Sequence, residues 1–341
     1  MRPITINLGG PYGLFSTTMT SAQDYPASLL DFGSIDHKGD ISLQPLLILL
    51  PNLRVHSYCR PEYCADLICN DRIIITNKVV LDEALLTKLP RLELICIAAT
   101  GTNNIDLQAA KACDIAVCNT TNYATAAVVQ HVFALITSLQ TRLCQYARAV
   151  RLGDWARAEH FCLLDYPIRE LAGLKLGIIG YGVLGQAVAR VAQAFGMEVI
   201  IAQRPGASPV PNRTPLNELL READLVSLHC PLAENTRNLI DAAALALMKP
   251  NALLINTARG GIVDENALAE ALVAGRIGGA GIDVLEQEPP IDSPLLGLEL
   301  PNLLITPHIA WASLQARQRL INEIAENISA YFRGEQRNRV V

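Results

Sequence analysis

Three polar residues in the second half of the chain each follow an apolar run that reads as a strand. Arg259 comes after Ala252-Leu253-Leu254-Ile255-Asn256-Thr257, Glu288 after Ala280-Gly281-Ile282-Asp283-Val284, and His308 after Leu303-Leu304-Ile305-Thr306. Open α/β sheets bind ligands at the carboxyl ends of their strands, so a guanidinium, a carboxylate and an imidazole could converge on one substrate. A guanidinium grips a carboxylate through two parallel hydrogen bonds, and an imidazole carries one proton near neutral pH. The trio suits a redox step at a carbonyl beside a carboxylate. Taken singly, each residue has a duller reading as a loop or satisfied core group; the weight lies in the combination.

The elements that must position the trio begin with a nucleotide signal. Leu174-Lys175-Leu176-Gly177-Ile178-Ile179 predicts a buried strand, Gly180-Tyr181-Gly182-Val183-Leu184-Gly185 a glycine turn, and 186–195 a helix. That order is what a dinucleotide fingerprint requires. Gly180 would make the tight turn, Gly182 would let the backbone approach a pyrophosphate, and Gly185 would let helix pack on strand; the diphosphate then sits at the positive end of the helix. The next strand, 198–202, ends in Gln203-Arg204, where an NAD-selective site places an acid for the ribose 2′-hydroxyl. Gln203 cannot repel a 2′-phosphate and Arg204 could pair with one, so the cofactor is expected to be NADP or NAD, dual or leaning to NADP. Arg204 as a solvated loop residue is the alternative.

On these motifs the chain resembles the D-isomer-specific 2-hydroxyacid dehydrogenases, in their glycerate dehydrogenase or hydroxypyruvate reductase branch. The resemblance runs from about residue 29 to about 319. It is carried by Ala99-Thr100-Gly101-Thr102-Asn103-Asn104-Ile105-Asp106, the glycine turn, Leu228-His229-Cys230-Pro231-Leu232, the segment Asn256 to Glu265, the segment Asp283 to Pro289, and Thr306-Pro307-His308. It implies that Arg259 binds the substrate carboxylate, that His308 is the acid/base, and that Glu288 orients the imidazole and favours its charged form. It further implies cofactor contacts at Val183, Leu184, His229, Cys230, Pro231, Thr257, Ala258 and Asp283, and a carboxylate-binding loop at Ala99, Thr100 and Gly101. Lys78, Tyr123 and Trp311 are weaker candidates for substrate contact. No metal is needed. Asp264 and Glu265 read as helix caps rather than catalytic groups.

The first half alternates strand-like runs at 53–57, 72–76 and 92–98 with helix-like segments near 62–69 and 81–89, the rhythm of a second doubly wound unit. The expected fold is α/β, with two doubly wound parallel-sheet domains: a Rossmann NAD(P)-binding domain at 123–309 inserted in a flavodoxin-like substrate domain made of 1–122 and 310–341. The resemblance supplies the flavodoxin-like half of that statement. Residues 1–26 lack both a secretory core and the pattern that follows, and read as an extension. A last helix is expected over 314–332.

Composition agrees. At 341 residues with 50% hydrophobic content and a mean hydropathy of +0.25, the chain can build two cores of continuous apolar strands. A net charge of −5 argues against nucleic acid or an anionic membrane as partner. Nine scattered cysteines without a C-x-x-C pair suit a reducing, cytoplasmic setting and indicate no zinc site. Residues 124–141 contain no Asp, Glu, Lys or Arg, but Gln130, His131 and Gln140 argue for a long buried helix rather than a membrane span. In the resembling family this helix packs across a dimer interface, which implies a homodimer. The expected function is NAD(P)H-dependent reduction of hydroxypyruvate and glyoxylate to D-glycerate and glycolate, reversibly. Two alternatives share the fold: a corepressor-like, dinucleotide-sensing interaction protein, and a formate or phosphite dehydrogenase.

Overall fold

The computed structural model describes residues 25–341, apart from 205, 207 and 209. The proposed extension at 1–26 therefore lies outside the described residues except at its end, and there it is corrected. The Tyr25 ring packs edge-on against Phe332 at 4.9 Å and under the Arg72 guanidinium at 3.8 Å, and the Pro26 carbonyl accepts from the Arg72 and Ile73 amides. Both residues belong to the fold.

The chain packs as two compact units. The first contains residues up to Ser34, Leu43–Asn119 and Ile324–Val341; the second contains Ile35–Ser42 and Thr120–Glu323. In the first, strands β1 (Ala27–Leu29), β2 (Arg54–Val55), β3 (Ile73–Thr76), β4 (Leu94–Ile97) and β5 (Ala116–Cys118) form a parallel sheet ordered β2-β1-β3-β4-β5. That is the flavodoxin-like order, with its switch point between β1 and β3. Ile73, Ile74 and Ile75 and Leu94 to Ile97 are wholly buried, each side chain contributing roughly 1.5–3 kcal/mol on removal from water. Covered on both faces, such strands read as unbroken apolar runs.

The second unit carries β6 (Lys175–Ile179), β7 (Glu198–Ile201), β8 (Leu225–Leu228), β9 (Leu253–Asn256), β10 (Gly279–Ile282) and β11 (Leu303–Ile305). They form one parallel sheet ordered β11-β10-β9-β8-β6-β7. The chain steps from β6 outward to β7, then crosses back to β8, so the switch point lies at the carboxyl end of β6, where the glycine turn begins. A helix at Thr125–Gln140 packs on β9 and β10. Gly281 lets it come close: a Cβ there would stand 3.0 Å from Leu135 Cβ and 3.1 Å from Ile255 Cδ1. The segment 35–42 joins this unit through Arg317, whose fork meets both Asp40 carboxylate oxygens at 2.7 Å, and through Gln318, which bonds the Ser42 backbone. The expected final helix is observed as Leu314–Phe332.

None of the described helices is long and apolar enough to cross a membrane. The nine cysteines are free.

Candidate active site

The glycine turn starts from a backbone that only glycine holds without strain. Gly180 has φ +94°, and a Cβ on it would stand 2.5 Å from the His229 carbonyl carbon and the Cys230 amide nitrogen. The turn after β6 and the loop after β8 are thus packed backbone to backbone. A Cβ at Gly185 would meet the Gly180 oxygen at 2.2 Å, so helix Val183–Ala194 lies directly on the strand it follows. At Gly182 the same added atom would meet nothing within 4 Å. Gly182 precedes the helix with no side-chain cap, leaving the first-turn N–H groups to an anion.

Two orphaned polar atoms stand at neighbouring strand ends. Thr257 Oγ1, after β9, is buried without a partner, and so is His229 Nδ1, after β8, whose Nε2 lies 2.9 Å from Ser227 Oγ. Desolvation lowers the His229 imidazole to about 4, so it is neutral at physiological pH. The open cradle at Gly182, the uncapped helix and these orphans fit a nicotinamide dinucleotide, which Val183, Leu184, Pro231, Thr257 and Ala258 would also flank. Burial pushes the Cys230 thiol up, keeping it protonated rather than reactive.

The structure brings His308 and Glu288 together. His308 Nδ1 lies 2.6 Å from Glu288 Oε2, while Glu288 Oε1 accepts the Leu285 amide at 3.0 Å. The carboxylate accepts the hydrogen bond from Nδ1–H, so Nε2 is the nitrogen left for a ligand. His308 itself has φ +54°, a left-handed backbone that costs a non-glycine residue about 1–3 kcal/mol. Asp283 holds it there. The Asp283 carbonyl accepts the His308 amide at 2.8 Å, Oδ1 accepts Ile309 N and Oδ2 accepts Ala310 N, both at 2.9 Å. Thr306 Oγ1 adds a fourth bond to Oδ1 at 2.6 Å. Asp283, expected at the cofactor, is 2% exposed and works on this loop.

Arg259 is half-buried on the turn after β9. Asn256 shapes that turn, its amide donating to the Arg259 carbonyl at 2.9 Å and its Oδ1 accepting Ala258 N at 3.0 Å. The guanidinium gives Nη1 to the Ala258 carbonyl at 2.7 Å. Tyr123 is close enough for the Arg259 charge to act on it, although burial dominates and raises the phenol to about 12. Its ring meets Trp311 edge-on at 6.3 Å, and Trp311 Nε1 donates to the His308 carbonyl at 2.9 Å. Both weaker aromatic candidates therefore stand beside the trio's residues.

In the first unit, Lys78 follows β3 and Ala99, Thr100 and Gly101 follow β4, all at the carboxyl edge of that sheet. Asp31, which the sequence did not single out, accepts the Asn77 amide at 2.8 Å and the Lys78 amide at 2.6 Å and so fixes the Lys78 turn. Two other groups were missed. His131 bonds Thr306, and Arg213 lies 4.8 Å over the Tyr181 ring of the glycine turn. Lone polar residues outside any motif give no sequence signal. The capping expectation holds for Asp264, which accepts Ala267 N at 3.0 Å, but Glu265 instead accepts Glu286 N and the Ser293 hydroxyl.

Comparison with known proteins follows the same lines. Residues 133–310 match the family description "D-isomer specific 2-hydroxyacid dehydrogenase, NAD binding domain". The chain belongs to the D-isomer-specific 2-hydroxyacid dehydrogenases. It is 45% identical over 279 residues to the glycerate dehydrogenase of Methylorubrum extorquens, covering 82% of this chain and 88% of that one. It is 36% identical over 271 residues to the hydroxypyruvate reductase of Blautia hydrogenotrophica, covering 78% and 84%. Among solved structures, an acyclic imino acid reductase in complex with NADPH and D-Arg superposes with a TM-score of 0.81 at 29% identity, over 92% of this chain and all of that one. The chain is thus an oxidoreductase of 2-hydroxy acids that uses a nicotinamide dinucleotide, and the corepressor and formate or phosphite readings are not favoured.

Proposed function

We propose that this dehydrogenase reduces hydroxypyruvate and glyoxylate to D-glycerate and glycolate with NAD(P)H, and runs in reverse as a D-glycerate dehydrogenase. The observation that carries the proposal is the 2.6 Å His308–Glu288 pair, which engages Nδ1 and leaves Nε2 as the nitrogen for proton exchange. The reduced cofactor, when bound, supplies the hydride. His308 Nε2 delivers a proton to the carbonyl oxygen during reduction and withdraws it during oxidation, and Glu288 stabilises the imidazolium of the first case. Arg259 binds the substrate carboxylate with its remaining donors and polarises the adjacent carbonyl. Tyr123 and Trp311, which stand beside Arg259 and His308 in the same unit, contribute substrate contacts. The similarity to a glycerate dehydrogenase and a hydroxypyruvate reductase supports this substrate class.

The domain division is a proposal of the same standing: nucleotide domain at 123–309, substrate domain from the flanking segments. For the cofactor, Arg213 lies 4.8 Å over the Tyr181 ring of the glycine turn, and the Gln203 amide bonds the Thr214 carbonyl at 2.8 Å, so Arg204 and Arg213 are each next in sequence to one backbone pairing at the end of β7. These cations support NADP(H) acceptance beside NAD(H). A homodimer is supported by exposed apolar side chains along 143–168, including Phe161 at 90% and Leu164 at 82% exposure. Sedimentation should show a dimer that Phe161→Asp with Leu164→Asp dissociates.

The functional test is a panel of 2-oxo acids assayed with each nicotinamide. Hydroxypyruvate and glyoxylate should lead, and His308→Gln should lose about 10²-fold or more in turnover while still binding cofactor. Turnover unaffected by that substitution would end the proposal.

A further inference from the structure

The Thr125–Gln140 helix presents a histidine that neither the trio nor the glycine turn explains. His131 Nε2 lies 2.9 Å from Thr306 Oγ1 and 3.5 Å from Asp283 Oδ1, and its side chain is 18% exposed. A threonine hydroxyl has one proton, and Thr306 gives that proton to Asp283 Oδ1 at 2.6 Å. The hydroxyl can only accept from His131. Nε2 therefore carries a hydrogen whether the ring is neutral or charged.

The chain of bonds continues to the proposed acid/base. Asp283 uses its carbonyl and both carboxylate oxygens on the consecutive amides of His308, Ile309 and Ala310. Its Oδ1 is shared between Thr306 and Ile309, so the direction of the threonine hydroxyl bears on the same oxygen that fixes the loop. His131 reaches Thr306 because its helix lies close on β10, where Gly281 offers no side chain to Leu135. Leu135 and His131 are four residues apart and share a helix face.

We propose that His131 is a positioning residue. Its Nε2–H orients the Thr306 hydroxyl so that Asp283 keeps the 308–310 backbone in the left-handed turn from which His308 serves the substrate. The inference rests on His308 as acid/base, and His308→Gln tests that reading separately: full turnover in that variant would overturn the reading beneath, whatever His131 does.

The experiment measures steady-state hydroxypyruvate reduction, and NADPH affinity by fluorescence titration, on the full chain carrying His131→Phe, His131→Gln, Thr306→Val, or His131→Phe with Thr306→Val. A displaced catalytic group lowers kcat rather than cofactor affinity. His131→Phe and Thr306→Val should each lower kcat about tenfold, with KM and cofactor Kd within about twofold. His131→Gln, whose amide can donate to the same hydroxyl, should recover to within about threefold of the parent. The double variant should be no slower than the slower single, because both act through one bond. Gln as slow as Phe, multiplying effects in the double variant, or an unchanged kcat in His131→Phe would each overturn the assignment. If His131→Phe does not fold, Thr306→Val decides: a kcat loss at constant cofactor Kd supports the chain of bonds, and a parental kcat refutes it.

Discussion

Acid should loosen the nucleotide-binding unit through His229 before carboxylate titration dominates. In the folded chain, desolvation lowers this imidazole from 6.5 to about 4. The unfolded chain keeps the ordinary value, so folded and unfolded states bind protons equally above it. As pH falls below 6.5, the unfolded state takes up a proton that the native ring refuses, and stability drops until the folded ring also titrates near 4. The two values correspond to a loss of about 2 kcal/mol at pH ~5 and about 3 kcal/mol at pH ~4, relative to pH ~7.5. His229→Gln keeps a partner for Ser227 and cannot titrate, so it should lack this increment. Both tryptophans, Trp155 and Trp311, lie in the second unit, so urea unfolding followed by indole fluorescence reads the relevant unit. The parent should lose about 2 kcal/mol more than His229→Gln between pH ~7.5 and ~5. Parallel losses in the two proteins would refute the reasoning and place the acid sensitivity elsewhere.

Other substitutions separate binding from chemistry. Gly180→Ala puts a methyl 2.5 Å from backbone atoms at φ +94° and should lower both Tm and cofactor affinity, whereas Gly182→Ala, with open space around the added atom, should keep Tm and lose cofactor affinity alone; calorimetry and titration distinguish them. Arg259→Lys should raise KM for hydroxypyruvate about tenfold or more by losing the bidentate grip, with cofactor Kd unchanged in the same titration. Arg204→Ala should weaken NADPH binding about tenfold and spare NADH; equal changes for both would count against a 2′-phosphate contact.

The parts of the fold that could be read in advance are those where burial leaves one chemical solution. β3, β4, β9 and β10 are covered on both faces and so appear as apolar runs with no competing reading. β1 and β5 escaped notice because Ala27-Ser28-Leu29 and Ala116-Val117-Cys118 mix small or polar residues into short runs and lack the sustained large aliphatic pattern of β3 and β4. The His308–Glu288 contact was legible for a related reason: each of the two residues follows a recognisable strand. What a side chain does after its strand ends was not legible. Glu265 looked like a cap and instead ties down 286 and 293, because its partners lie 21 and 28 residues away.

Asp283 shows why this boundary matters for function. Its position at the end of β10 is that of a ligand-binding residue, yet its oxygens are engaged by the loop that carries His308. A histidine with φ +54° needs its cost offset, and three consecutive amides satisfied by one aspartate offset it. Removing that carboxylate would leave the Ile309 and Ala310 amides without their partners and free the backbone at 308 to relax toward the ordinary helical or extended regions. The imidazole would then no longer be held against Glu288, although neither residue of the pair had been touched. The proposed proton-transfer geometry thus depends on a residue that need not contact the substrate.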